Sequence, residues 1–142
     1  MRKILLVDDD SAYTWCLQKY LQNRGYRVKT ANTLEEARIA IKEEIPLLIC
    51  CDLGLPDGSG LELLDMVRAA YGTLPFILAS CHEKEDYEKE AMRRGATLCV
   101  DKLEAGYMLT AYKAHFHKSL FFISRQGREF WTVELPSQSS ME

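Results

Sequence analysis

Residues 47–64 read LLICCDLGLPDGSGLELL, and this stretch decides the fold. LLICC (47–51) is short and continuously apolar, the pattern of a strand buried on both faces. DLGLPDGSG (52–60) follows, and Pro56 with three glycines makes it a loop rather than regular structure. LELLDMVRAAY (61–71) then spaces its apolar residues as a helix does, and Gly72 ends it. A buried strand thus runs through an acidic, glycine-rich loop into an amphipathic helix.

The same unit repeats outward in both directions. KILLV (3–7) reads as a strand, and Ser11 is placed to cap a helix over about 12–24. The inward face of that helix would hold Tyr13, Cys16, Leu17, Tyr20 and Leu21, with Gly25 just past its end. RVKTA (27–31) alternates as a less buried strand, and Thr33 with Glu36 forms a capping-box pattern for a helix to about 44. After Pro75, FILAS (76–80) is a strand, EKEDYEKEAMRR (83–94) an exposed helix stopped by Gly95, and TLCV (97–100) a fifth strand. A helix is expected over about 104–119. Strict strand–helix alternation argues for an α/β domain, a doubly wound five-stranded parallel sheet with helices on both faces. FFISRQGREFWTVEL (121–135) breaks the alternation and reads as a β-hairpin turning at Gly127, before a polar, frayed end.

Composition limits the function. The 142 residues suit one domain of about 100–200 residues with an appendage. With 47% hydrophobic and 27% charged residues the chain is an ordinary globular one. A net charge of −3 and no prominent basic stretch argue against direct nucleic-acid binding or an anionic membrane surface. No apolar run approaches the roughly 18 residues of a membrane span, and Ile4–Val7 is too short for a signal-peptide core. A cytoplasmic location is expected. The five cysteines (Cys16, Cys50, Cys51, Cys81, Cys99) form no C-x-x-C pair and read as reduced, small hydrophobes.

In an open parallel sheet, ligands bind beyond the carboxyl ends of the strands. Those ends carry Asp8, Asp9 and Asp10, then Asp52, Ser80 and Lys102. Clustered carboxylates repel, and a hard divalent cation such as Mg²⁺ removes that cost. Asp52 beside the metal would act as a nucleophile toward a phosphoryl group. Lys102 would pair with the phosphoryl oxygens, and the Ser80 hydroxyl would donate a hydrogen bond.

KILLVDDD, LLICCDLGLPDGSGLELL, PFILAS and GATLCVDK together resemble the receiver domain of two-component response regulators. The resemblance covers residues 1–118, leaving 119–142 as a C-terminal extension. It implies a flavodoxin-like sheet in the order 2-1-3-4-5. It implies that Asp52 accepts phosphate from a sensor histidine kinase or a phosphotransfer protein. Asp9, Asp52 and the Gly54 carbonyl would bind Mg²⁺, with Asp8 assisting through water. Ser80 would be the switch hydroxyl and Lys102 the phosphoryl contact. Such a domain catalyses only its own Mg²⁺-dependent phosphoryl acceptance and loss.

The sequence departs from the family at three places. Cys99 stands where the family has a switch aromatic, and moving a thiol shifts far less surface than moving a ring. Leu103 replaces the usual proline after the lysine, so the loop after strand five should be reshaped. The last helix and extension are unusually aromatic (Tyr107, Tyr112, Phe116, Phe121, Phe122, Phe130, Trp131) and either cover the domain itself or meet a homodimer or effector partner.

His82, at the mouth of the site, is a candidate for tuning phosphate lifetime. His115 and His117 sit at a spacing that does not share a helix face. A phosphorylation-independent pseudo-receiver is the alternative function. A dehalogenase-type hydrolase would need an acid at position 54, which is Gly54, and a nucleotide-binding flavodoxin-like protein would not place three aspartates after strand one.

Overall fold

The computed structural model describes residues 3–80 and 86–102, the side chain of residue 101 excepted, and the backbone of strands at 109–111, 119–123 and 130–134. The strand–loop–helix unit at 47–64 becomes β3 (Leu48–Cys51), a two-stranded turn of β4 (Gly54–Leu55) and β5 (Gly58–Ser59), and α3 (Gly60–Tyr71). Before it lie β1 (Lys3–Val7), α1 (Ser11–Gln22), β2 (Arg27–Ala31) and α2 (Leu34–Glu43). After it come β6 (Phe76–Ser80), α4 (Glu88–Arg93) and β7 (Leu98–Asp101). The five long strands pair in parallel in the order β2-β1-β3-β6-β7, which is 2-1-3-4-5 when only those strands are counted.

Continuous apolarity in the strands has the expected cause, since alternate residues serve opposite faces. On one face Leu5, Val7, Ile49, Cys51, Phe76 and Leu78 pack with α2, α3 and α4 residues such as Ile41, Leu63, Val67 and Ala91. On the other, Ile4, Leu6, Leu48, Cys50 and Ile77 meet Leu17 and Leu21 of α1. Cys50 and Cys51 accordingly lie in different cores. Among the described residues no helix is long and apolar enough to cross a membrane.

Several details differ from the sequence reading. The cap of α1 is Asp10, whose carboxylate accepts the Tyr13 N–H, and Ser11 is the first helical residue. Cys16 is exposed, and Thr14 takes the buried position instead. Thr14 can do so because its hydroxyl donates back to the Asp10 carbonyl at 3.1 Å. The 52–60 loop is not wholly irregular, because Gly54 and Leu55 pair with Ser59 and Gly58 across the Pro56–Asp57 turn. The helix at 83–94 is described only as Glu88–Arg93, and Tyr87 and Ala91 are buried rather than exposed.

The largest correction concerns the helix expected over 104–119. Residues Leu109–Ala111 form a strand, β8, which pairs antiparallel with β9 (Ser119–Ile123). The β9 strand pairs in turn with β10 (Phe130–Glu134), the expected hairpin. Thr110 and the aromatic residues nearby suit a pleated strand at least as well as a helix, so pairing overrides a weak helical preference. The ladder joins segments on either side of residue 118. His115, His117, Leu103 and the expected Gly127 turn lie outside the described residues.

Asp57 links the central loop to α2. Its carboxylate accepts the Leu34 N–H at 2.8 Å and the Glu35 N–H at 3.1 Å, two donors that the first turn of a helix leaves without partners. These bonds, the one from Leu34 foremost, hold the Asp57 carboxyl below the usual carboxylate range. A depressed folded pKa adds stability above the unfolded value of about 3.8 and loses it as pH falls through the folded value. Asp57→Ala is therefore expected to lower the melting temperature at neutral pH, with the deficit shrinking well below pH 3.8. Thermal unfolding at both pH values checks this, and an equal deficit at both would contradict it.

Candidate functional site

Three residues just past the strand ends are held by their neighbours. The Asp8 N–H donates to the Ala31 carbonyl (2.9 Å), the Asp52 N–H to Val7 (2.8 Å) and the Lys102 N–H to Ser80 (2.9 Å). Each bond extends a parallel ladder by one residue beyond the strand. The side chains at the carboxyl edge of the sheet are thereby fixed by the backbone.

Asp8 and Lys102 are only 3% and 5% exposed, burial that charged groups tolerate only when paired. The ammonium of Lys102 donates to Asp8 Oδ2 and lies 3.5 Å from Asp52 Oδ2. Asp8 Oδ1 accepts the Asp10 N–H at 2.9 Å, so both oxygens of the buried carboxylate are engaged. Burial pushes the Asp8 carboxyl above its ordinary range, against the opposing pull of Lys102 and the Asp10 N–H. Asp52 is half-buried and Asp9 exposed. Asp8, Asp9 and Asp52 can each offer an oxygen within 4.8 Å of the others. An all-oxygen donor set of this kind suits a hard divalent cation.

The remaining predicted residues have clear places. Ser80 ends β6 fully buried, beside the Lys102 strand end. Gly54 begins β4, two residues beyond Asp52, and pairs with Ser59. Cys99 is buried in the core under α4, in the same cluster as Tyr87, whose hydroxyl donates to the Val100 carbonyl at 3.4 Å. His82 lies outside the described residues. The thiols beside the site are held protonated. Burial, with Asp8 next, pushes Cys50 up to about 12, and burial likewise raises Cys51 well above its ordinary value, leaving its S–H to donate to the Asp52 carbonyl at 3.2 Å. Protonated, buried thiols are poor nucleophiles.

Two contributors escaped the sequence reading. Tyr13 was assigned only to the core face of α1, yet its ring centroid lies 4.3 Å from Lys102 Nζ. Gly60 was counted as a loop breaker, yet its N–H donates to the Leu53 carbonyl at 2.7 Å, and a Cβ there would stand 2.2 Å from the Asp52 carbonyl. Ser59 and Glu62 then cap α3 reciprocally, with Leu61 N–H to Ser59 at 3.1 Å and Ser59 N–H to Glu62 at 2.7 Å. The signal for Gly60 was its place immediately after the capping Ser59. For Tyr13 it was a helix that starts three residues after a strand-end carboxylate.

Comparison with known proteins agrees with this geometry. The family model described as response regulator receiver domain matches residues 4–112. The chain is 31% identical over 131 residues to the transcriptional regulatory protein KdpE of Staphylococcus aureus, covering 88% of this chain and 56% of that protein. A CheY-like response regulator receiver domain protein from Methanospirillum hungatei JF-1 superposes with a TM-score of 0.68 at 28% identity, over 72% of this chain and 82% of that one. The receiver domain of HemR from Leptospira biflexa, in its non-phosphorylated form, gives 0.67 at 30% identity, with the same two coverages of 72% and 82%. The chain spans only 20% of NtrC from Proteus hauseri and 27% of ZraR from Klebsiella oxytoca, two other transcriptional regulators it matches.

The Gly60 contact yields a test. Gly60→Ala must push the new methyl group into the Asp52 carbonyl and the Cys51 sulfur, and overpacking of this kind costs about 1–3 kcal/mol. Urea unfolding should show that loss with an unchanged slope. A variant as stable as the wild type would contradict the close approach.

Proposed function

The chain belongs to the response regulator receiver domain family, and on that footing we propose that it is a phosphoacceptor module phosphorylated on Asp52. The observation that carries this reading is the juxtaposition of Asp8, Asp9 and Asp52 with one buried ammonium. Asp8, Asp9 and Asp52 would hold Mg²⁺, joined by the Gly54 carbonyl. When bound, that ion offsets the negative charge shared by the acceptor carboxylate and the incoming phosphoryl group.

A carboxylate oxygen of Asp52 attacks the phosphorus of a phosphohistidine in line. The new O–P bond forms as the N–P bond breaks, and the imidazole nitrogen leaves with the bonding pair. The product is an acyl phosphate. Lys102, already 3.5 Å from Asp52, shifts from carboxylate oxygen toward phosphoryl oxygen, and Ser80 supplies a hydroxyl donor. Hydrolysis returns the carboxylate, and His82 is the candidate for tuning its rate. This self-directed chemistry is the only catalysis assigned to the chain.

The donor is a sensor histidine kinase or phosphotransfer protein, and the output is a change in protein–protein contacts within the cytoplasm. Although the curated relatives are transcriptional regulators, the acidic balance of this chain favours protein contacts over direct nucleic-acid or membrane binding. Residues 1–118 carry the receiver and 119–142 an extension, which offers a homodimer or effector surface. One observation favours a second reading, a pseudo-receiver that binds partners without phosphorylation. Cys99 supplies no ring to swing at the family's switch position.

Incubation with acetyl phosphate and Mg²⁺ separates the two. The phosphoacceptor reading predicts a mass gain of one phosphoryl group, abolished by a chelator and by Asp52→Asn. Intact mass spectrometry showing no gain at saturating donor would favour the pseudo-receiver.

A further inference from the structure

We propose that Tyr13 is a positioning residue for Lys102, its ring holding the ammonium at the acceptor carboxylate. The inference rests on the phosphoacceptor reading of Asp52 and extends it to a side chain on α1. Lysine is a flexible, strongly hydrated point charge with three rotatable donors, and by itself it has no fixed aim. Among the described residues this ammonium meets Asp8, Asp52 Oδ2 at 3.5 Å and the Tyr13 ring at 4.3 Å to its centroid. At 5% exposure, Lys102 has little contact with water. An aromatic face attracts a cation most strongly where water is excluded, and it offers no competing acceptor in place of the phosphoryl group.

The backbone of Tyr13 is linked to the same carboxylate as the lysine. The Tyr13 N–H donates to Asp10 Oδ1 at 3.1 Å, and the Asp10 N–H donates to Asp8 Oδ1 at 2.9 Å. Asp8 Oδ2 closes the circuit through Lys102. The first turn of α1, the buried carboxylate and the ammonium are thus fixed relative to one another. The ring meets the ammonium from α1, while Asp52 meets it from the end of β3.

The test uses the full chain with acetyl phosphate and Mg²⁺, reading the phosphorylation rate by intact mass. Tyr13→Phe keeps the ring and should stay within about twofold of wild type, whereas Tyr13→Leu should lose about tenfold in the rate at saturating donor. In a Lys102→Met background, adding Tyr13→Leu should cost nothing more, because both changes remove one interaction. In spectra of ¹³Cε-labelled lysine, one ε-methylene should be ring-shifted in wild type and Tyr13→Phe and unshifted in Tyr13→Leu. The proposal is overturned if Tyr13→Phe is as slow as Tyr13→Leu, if the loss persists in the Lys102→Met background, or if wild type shows no ring-shifted lysine. A wild-type rate for Tyr13→Leu would overturn it while leaving Asp52 as acceptor. No labelling of the wild type would sink the phosphoacceptor reading, and this proposal with it.

Discussion

The buried ammonium of Lys102 is the constraint around which the strand ends are arranged. Three carboxylates with oxygens within 4.8 Å of one another repel strongly, by about 4 kcal/mol for a pair at 4 Å and an effective dielectric near 20. One ammonium leaves two negative charges unbalanced, which is what a divalent cation supplies. The burial of Asp8 shows how the arrangement is biased. Its carboxyl is pushed upward by loss of water, and Lys102 and the Asp10 N–H oppose that push. Removing Lys102 alone would leave Asp8 buried without a counter-charge, a change that typically costs about 3–5 kcal/mol.

Holding such a cluster requires backbone precision more than side-chain bulk. The parallel ladder is extended by one residue at Asp8, Asp52 and Lys102, so the charged groups inherit the rigidity of the apolar strands beneath them. Gly60 allows α3 to start against the Asp52 carbonyl, and Asp57 ties the same loop to the first turn of α2. The loop after Asp52 is therefore anchored at two helices on one side of the sheet. On the other side, α1 contributes Asp10 and Tyr13. Asp52 is thereby linked to α3 at Gly60, to α2 through Asp57, and to α1 through Lys102 and Tyr13.

Much of this was legible in the amino-acid order because two periodicities are strong. Continuous apolar runs at 3–7, 47–51 and 76–80 admit little but buried strands, and the residues directly after them must fall on the carboxyl edge. That edge offered Asp8, Asp9, Asp10, Asp52, Ser80 and Lys102, and the resemblance to the receiver family assigned the roles among them. Short-range competition was harder to read. Asp10 and Ser11 are both good helix caps, and the winner depends on where β1 releases the chain. Cys16 and Thr14 share one helix turn, and the choice between them rests on a backbone hydrogen bond that hydropathy does not weigh. The segment around 109–111 forms a strand through pairing with residues about ten positions away, information that a local pattern lacks. The ring of Tyr13 reaches Lys102 across eighty-nine sequence positions, and only the fold brings them together.

The departure at position 99 gives the protein its individuality. Tyr87, just before α4, supplies an aromatic ring to the same core, hydrogen-bonded to the strand that carries Cys99. The most direct measurement is to treat the chain with acetyl phosphate and Mg²⁺, reduce with borohydride, and map the modified residue by peptide mass spectrometry. An acyl phosphate on Asp52 predicts conversion of that side chain, and no other, to homoserine. Reduction at Asp8 or Asp9 instead, or at no aspartate, would contradict the account.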